Sequence, residues 1–182
     1  FVFGLCVGSF VNVVIERLPK GSSIIKKRSH CPSCKKNLKW YDMIPVLSVV
    51  FLKGKCRFCR SPISIQDPIV ELVTGVFFVL VFFFLPDGSI QYAVLRMQYV
   101  IFFAYYLFIT SSLITIFFID LKYGIIPDKI IYPSILVSFL YSILYTPYFI
   151  QNNFLSATGS LLFFLLIFLI TRGRGMGFGD VK

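Results

Sequence analysis

The sequence predicts an all-α protein that crosses a membrane several times and carries a small polar insert. Three observations lead there. Of the 182 residues, 57% are hydrophobic and only 14% are charged, against about 45–50% and about 25% in ordinary soluble domains. The apolar residues gather into separate runs, several near the roughly 20 residues needed to cross a hydrocarbon core. The net charge of +10 is concentrated in one connecting stretch. From Glu16 to Arg60 there are 12 Lys/Arg and two acids, Glu16 and Asp42, while six basic residues meet six acidic ones elsewhere.

Residues 1–18, FVFGLCVGSFVNVVIERL, are expected to close a first spanning helix whose start is cut at Phe1. No secretory signal with its small-residue cleavage site is visible. Gly4, Gly8 and Ser9 permit close approach of a second helix, and Asn12 can bond across that interface. Cys6 reads as inert packing. Residues 19–67 form a polar, basic loop whose Pro, Gly and Ser content argues against one long helix. Excess Lys/Arg keeps such a loop on the cytoplasmic side and draws it to anionic headgroups. Nucleic-acid binding is set aside, because only Trp40 and Tyr41 offer nearby stacking faces.

Within this loop, CPSC at 31–34 and CRFC at 56–59 give two Cys-x2-Cys pairs with 21 residues between them. Four thiolates suit tetrahedral zinc, and disulfides are rare in the cytoplasm. Cys31, Cys34, Cys56 and Cys59 therefore read as one structural zinc site. His30 reads as a bystander. The metal would tie together a short loop that has little core of its own.

Residues 69–182 read as the membrane core, with spans at about 69–85, 97–119, 130–145 and 154–170. PDGS stops the first of these, and the uncharged TPYFIQNN separates the last two. Alternation from a cytoplasmic 19–67 loop returns Lys122, Arg172 and Arg174 to the cytoplasmic side. It also places Asp120, at the end of SSLITIFFID, and Asp180, in RGRGMGFGDVK, on the same face.

Two carboxylates in contact cannot both ionise readily, so one keeps a proton near neutral pH. The ionised member can take a proton from water while the protonated one polarises a peptide carbonyl. Gly177 and Gly179 let the backbone before Asp180 bend tightly and approach a second chain. Asp128 is a third acid in the same connection as Lys122, and its place after Pro127 suits helix capping. A phosphate loop is a poor account of the glycines, since no GK[ST] follows and no β-strand precedes.

The stretches GSFVNVVIERLP, CPSC, DMIPVLS, GKCRFC, SPIS, PIVELVTG, IDLKYGIIPD and GMGFGDVK occur in this order. Together they resemble the type IV prepilin peptidases, bifunctional leader peptidase and N-methyltransferase enzymes. The resemblance implies a Gly-x-Gly-Asp aspartic protease of the bacterial cytoplasmic membrane, with Asp120 and Asp180 catalytic and zinc held by the cysteines. It implies prepilins or pseudopilins as substrates, each losing a short basic leader. Methylation of the new amino terminus from S-adenosylmethionine would follow, with Gly54 the one candidate for the methyl-donor site. The resemblance also implies roughly three further spans after GDVK. Two rival readings are an intramembrane protease that cuts within the apolar stem, and a non-enzymatic membrane assembly factor that docks through its zinc loop.

Overall fold

The structure, a computed structural model, describes residues 1–24, 29–84, 97–145 and 150–171. These form six α-helices: α1 Val2–Arg17, α2 Leu47–Phe51, α3 Gln66–Phe84, α4 Met97–Tyr123, α5 Asp128–Tyr145 and α6 Ile150–Thr171. A 3-10 turn spans Trp40–Met43. Among the described residues, β pairing is confined to two isolated bridges, His30 with Asn37 and Lys55 with Pro62. The chain divides into two compact units, Phe1–Lys122 and Tyr123–Lys182. PDGS and RGRGMGFGDVK lie outside the described residues, as do the first four residues of TPYFIQNN.

In the first unit, α1 and α3 form an antiparallel hairpin seated on small residues. A Cβ added at Gly4 would lie 2.8 Å from the Gly75 backbone, and one at Gly8 would lie 2.7 Å from the Glu71 backbone. Ascending α1 therefore meets descending α3. Gly4, Gly8, Val11 and Ile15 are the buried residues of α1, a stripe at helical spacing that fits against Val70, Thr74, Gly75 and Phe78. Asn12 Nδ2 donates to the Asp67 carbonyl at 2.8 Å, which is the cross-helix bond the sequence suggested. Cys6 lies in α1, falls off this stripe and is exposed.

Helix α4 continues to Tyr123, one turn past the expected end at Ile119. It stops before Gly124, whose φ of +62° is the left-handed conformation that ends many helices at little cost for glycine. The hydroxyls of Ser111, Ser112 and Thr115 donate to carbonyls four residues back at 2.6–2.9 Å. Such bonds satisfy polar side chains without water. Phe82 of α3 meets Phe103 of α4 edge-on at 6.2 Å. Gln66–Phe84 and Val100–Tyr123 are both long and apolar enough to cross a membrane.

In the second unit, α5 begins at Asp128 and α6 contains a shorter apolar stretch, Leu155–Ile170. Pro133 lies near the start of α5, where it removes a single internal hydrogen bond. Nearby, Ser134 Oγ donates to the Ile130 carbonyl at 2.8 Å.

Candidate functional site

Two short knuckles with the same backbone plan bring the four cysteines together. In the first, the Cys31 amide donates to the Lys36 carbonyl and the Lys35 amide to the Cys31 carbonyl, at 3.0 and 2.9 Å. In the second, the Cys56 amide donates to the Ser61 carbonyl at 2.8 Å and the Arg60 amide to the Cys56 carbonyl at 2.9 Å. Lys35 and Arg60, each directly after the second cysteine of its pair, both take φ +56°. The left-handed residue reverses the chain so that both sulfurs of a pair face one point. This repeat of fold follows from the repeated Cys-x2-Cys spacing.

The four Sγ atoms lie within 4.8 Å of one another. Zinc–sulfur bonds near 2.3 Å in a tetrahedron require sulfurs about 3.8 Å apart, and Cys31 Sγ and Cys59 Sγ are separated by 3.8 Å. The donor set fits a metal ion. His30 is exposed and is not part of the group. Without metal the thiols share charge unequally. The Cys34 backbone and the Ser61 hydroxyl hold Cys31 down at about 6. The Lys36 backbone favours the Cys34 thiolate, but desolvation and the neighbouring sulfurs outweigh it and push that thiol up to about 11. Cys59 is lowered, chiefly by the Ser61 hydroxyl 3.1 Å away. Sequence reading missed Ser61. Its place two residues after Cys59, equivalent to Lys36, was the available signal.

Two buried carboxylates, neither of which the sequence reading singled out as a tether, hold the insert: Asp42 ties the 3-10 turn to the second knuckle, and Glu71 ties the insert to the helical hairpin. Asp42 accepts from Arg57 Nε at 2.9 Å and pairs with Arg57 Nη2 at 2.8 Å, and it also accepts from the Lys39 amide at 3.3 Å. Glu71 of α3 accepts from the Val46 amide at 2.8 Å. Val46 has φ +60° and ψ −50°, a genuine outlier for a β-branched residue. The Leu47 amide closes on the Pro45 carbonyl at 2.5 Å, making a strained γ-turn. The bond to Glu71 helps hold that turn in place.

Between the knuckles and the hairpin lies a cleft of about 740 Å³, lined in part by Asn12, Glu16, Cys56, Asp67, Glu71 and Lys122. This is within the usual size range of small-molecule sites, roughly 300–1,000 Å³. Asn12 Oδ1 is buried there with no hydrogen-bond partner among the described residues. Lys122 acts electrostatically on Asp67, so the end of α4 reaches the cleft. Asp120, two residues earlier in α4, is exposed, as is Asp128 at the start of α5. Asp180, Gly177 and Gly179 lie outside the described residues. Gly54 takes φ +69° with open space around it, and its amide donates to the Val49 carbonyl at 2.8 Å. The turn after α2 thus accounts for a glycine there.

Two family models match the chain in succession. The Bacterial Peptidase A24 N-terminal domain matches residues 2–85, and the Type IV leader peptidase family matches residues 106–182. A prepilin leader peptidase/N-methyltransferase of Myxococcus xanthus is 42% identical over 136 residues, covering 75% of this chain and 37% of that relative. One from Bacillus subtilis is 35% identical over 185 residues, covering 100% of this chain and 68% of the relative. One from Klebsiella pneumoniae is 30% identical over 192 residues, covering 100% and 79%. No solved structure matches.

Proposed function

The chain belongs to the Type IV leader peptidase family, and from that premise we propose that it is the peptidase of a bacterial cytoplasmic membrane that removes short basic leaders from prepilins or pseudopilins. The alignment with the Bacillus subtilis relative over 100% of this chain carries the reading. In the proposed topology the helices α1, α3, α4, α5 and α6 cross the membrane, and the 19–67 insert stays in the cytoplasm with the basic charge. Asp120 and Asp180 then meet at the cytoplasmic boundary, where a polar leader stays in water while its apolar stem lies in lipid.

The proposed chemistry is acid–base hydrolysis. One carboxylate accepts a proton from the attacking water, and the protonated partner donates a hydrogen bond to the scissile carbonyl. As the tetrahedral intermediate collapses and the C–N bond breaks, the proton taken from water passes to the leaving amine, and the partner carboxyl keeps its own, so the pair returns to its starting state. No covalent enzyme intermediate is needed. Cys31, Cys34, Cys56 and Cys59 would hold structural zinc, since four protein ligands leave no open position for catalysis.

The relatives' shared name supports a second step, methylation of the exposed amino terminus. S-adenosylmethionine would supply the methyl group. The cleft beside the knuckles fits such a group in size, and the orphaned Asn12 Oδ1 offers an acceptor to a nucleoside hydroxyl or amine. Asn12, Glu16 and Asp67 would bind and orient it there, and Gly54 remains a candidate through the turn it permits.

The test uses full-length protein in membranes, a prepilin substrate and a labelled methyl donor, with leader loss and label transfer scored separately. Asp120→Asn or Asp180→Asn should each lower cleavage by about 10²–10⁴-fold, the usual contribution of a positioned acid or base. Cleavage that persists at wild-type rate in both variants rejects the peptidase assignment and favours a docking role for the zinc loop.

A further inference from the structure

Helix α2 turns its apolar face away from the protein. Ser48, Val49 and Leu52 face the cleft, whereas Leu47, Val50 and Phe51 are 52%, 64% and 80% exposed. These three positions fall at helical spacing on one side of α2, and Ile44, before the turn at Val46, is exposed as well. A polar insert surrounded by water would bury such a ridge.

We propose that this ridge is a lipid-binding surface that seats the cysteine-bearing insert on the anionic membrane–water boundary. The proposal rests on the membrane-spanning reading given above.

Three observations favour lipid as the occupant. The insert is tethered at both ends to the same end of the α1–α3 hairpin, because those helices are antiparallel and enclose it in sequence. The start of α2 is fixed in height by the bond from the Val46 amide to Glu71. Glu71 lies five residues into α3, about 7.5 Å along the helix axis at 1.5 Å per residue. Interfacial helices bury their apolar faces about 5–10 Å into the headgroup and acyl boundary, and the tether holds α2 beside the first turns of α3, where a spanning helix enters that boundary. Finally, the segment from Met43 to Gln66 contains Lys53, Lys55, Arg57 and Arg60 and no acid. Lys53, Lys55 and Arg60 are exposed and follow the ridge closely in sequence, supplying the positive charge that anionic headgroups attract. A protein partner would need neither that placement nor the nearby positive charge.

The experiment places a fluorescent probe on the ridge. Trp40 is the single tryptophan of the 182 residues, so Phe51→Trp is made in a full-length background in which Trp40 and any tryptophan outside these residues are replaced by Phe. The variant is reconstituted into phosphatidylcholine–phosphatidylglycerol vesicles with or without brominated acyl chains. A parallel Phe82→Trp variant, in the same background, reports on exposed Phe82 within α3. Both the ridge probe and the α3 probe should lose emission, about twofold or more, in brominated lipid and should resist aqueous iodide. Adding Leu47→Asp and Val50→Asp should restore emission from the ridge probe while the α3 probe stays quenched and each chain keeps its zinc. A ridge probe open to iodide and blind to bromine overturns the proposal. So does a ridge probe shielded from both, which marks a protein occupant. If the α3 probe is also blind to bromine, the membrane-spanning reading falls instead.

Discussion

Glu71 and Val46 show how a single pair of residues ties the insert to the hairpin. The Val46 amide is directed into a buried carboxylate, and the strained γ-turn it heads would lose that support without an acceptor. Glu71→Gln keeps an acceptor and should be tolerated. Glu71→Ala leaves the amide unsatisfied and should cost about 1–3 kcal/mol, read as a lower midpoint in thermal unfolding of the detergent-solubilised protein. Equal midpoints for the two variants would show that the bond contributes nothing. A shared proton between Asp120 and Asp180 should give leader cleavage a bell-shaped pH profile whose limbs belong to the pair. The limbs are read as kcat/KM against pH, and a flat profile across the carboxylate range would dismiss a carboxylate dyad.

Whole elements fail in different ways according to what holds them. The α1–α3 hairpin depends on backbone proximity, so added volume is its weakness. Gly8→Leu would drive its side chain into the Glu71 backbone, where even a Cβ would lie at 2.7 Å. It should destabilise the hairpin by about 1–3 kcal/mol, measured as a loss of folded protein on heating in detergent, whereas Gly159→Leu in α6, with open space around it, should be near neutral. The knuckles depend on metal. Chelation should raise amide hydrogen exchange across residues 29–63 while leaving α3 protected. Binding also carries a pH signature. Cys34, pushed up to about 11, holds a proton at neutral pH and must release it to ligate. Zinc affinity should therefore rise with pH, about tenfold per unit for each proton released, as followed by competition with a chromophoric chelator. An affinity independent of pH between about 6 and 8 would contradict thiolate ligation by a protonated Cys34.

Across the whole molecule, the cysteine-bearing insert is complete within the first compact unit. Chelation should accordingly disturb the insert and label transfer before it disturbs leader cleavage, when both are assayed on the same full-length preparation. Simultaneous loss of the two activities at the same chelator dose would instead tie the metal site to the membrane core.

Much of this organisation was legible in the residues themselves. Apolar runs bounded by turn residues announce helices because the backbone of a long apolar segment must satisfy its own hydrogen bonds. Cys-x2-Cys announces a knuckle because its short spacing already sets both sulfurs toward one point. Gly4, Gly8 and Asn12 announced a helix interface because small side chains and one amide have few other uses in an apolar helix. The tether from Glu71 to Val46, the Asp42–Arg57 pair and the outward face of α2 had no such local mark. Each joins residues far apart in sequence or depends on which way a short helix is turned. Only the packed fold decides that, because an isolated five-residue helix has no preferred side until a neighbour holds one end.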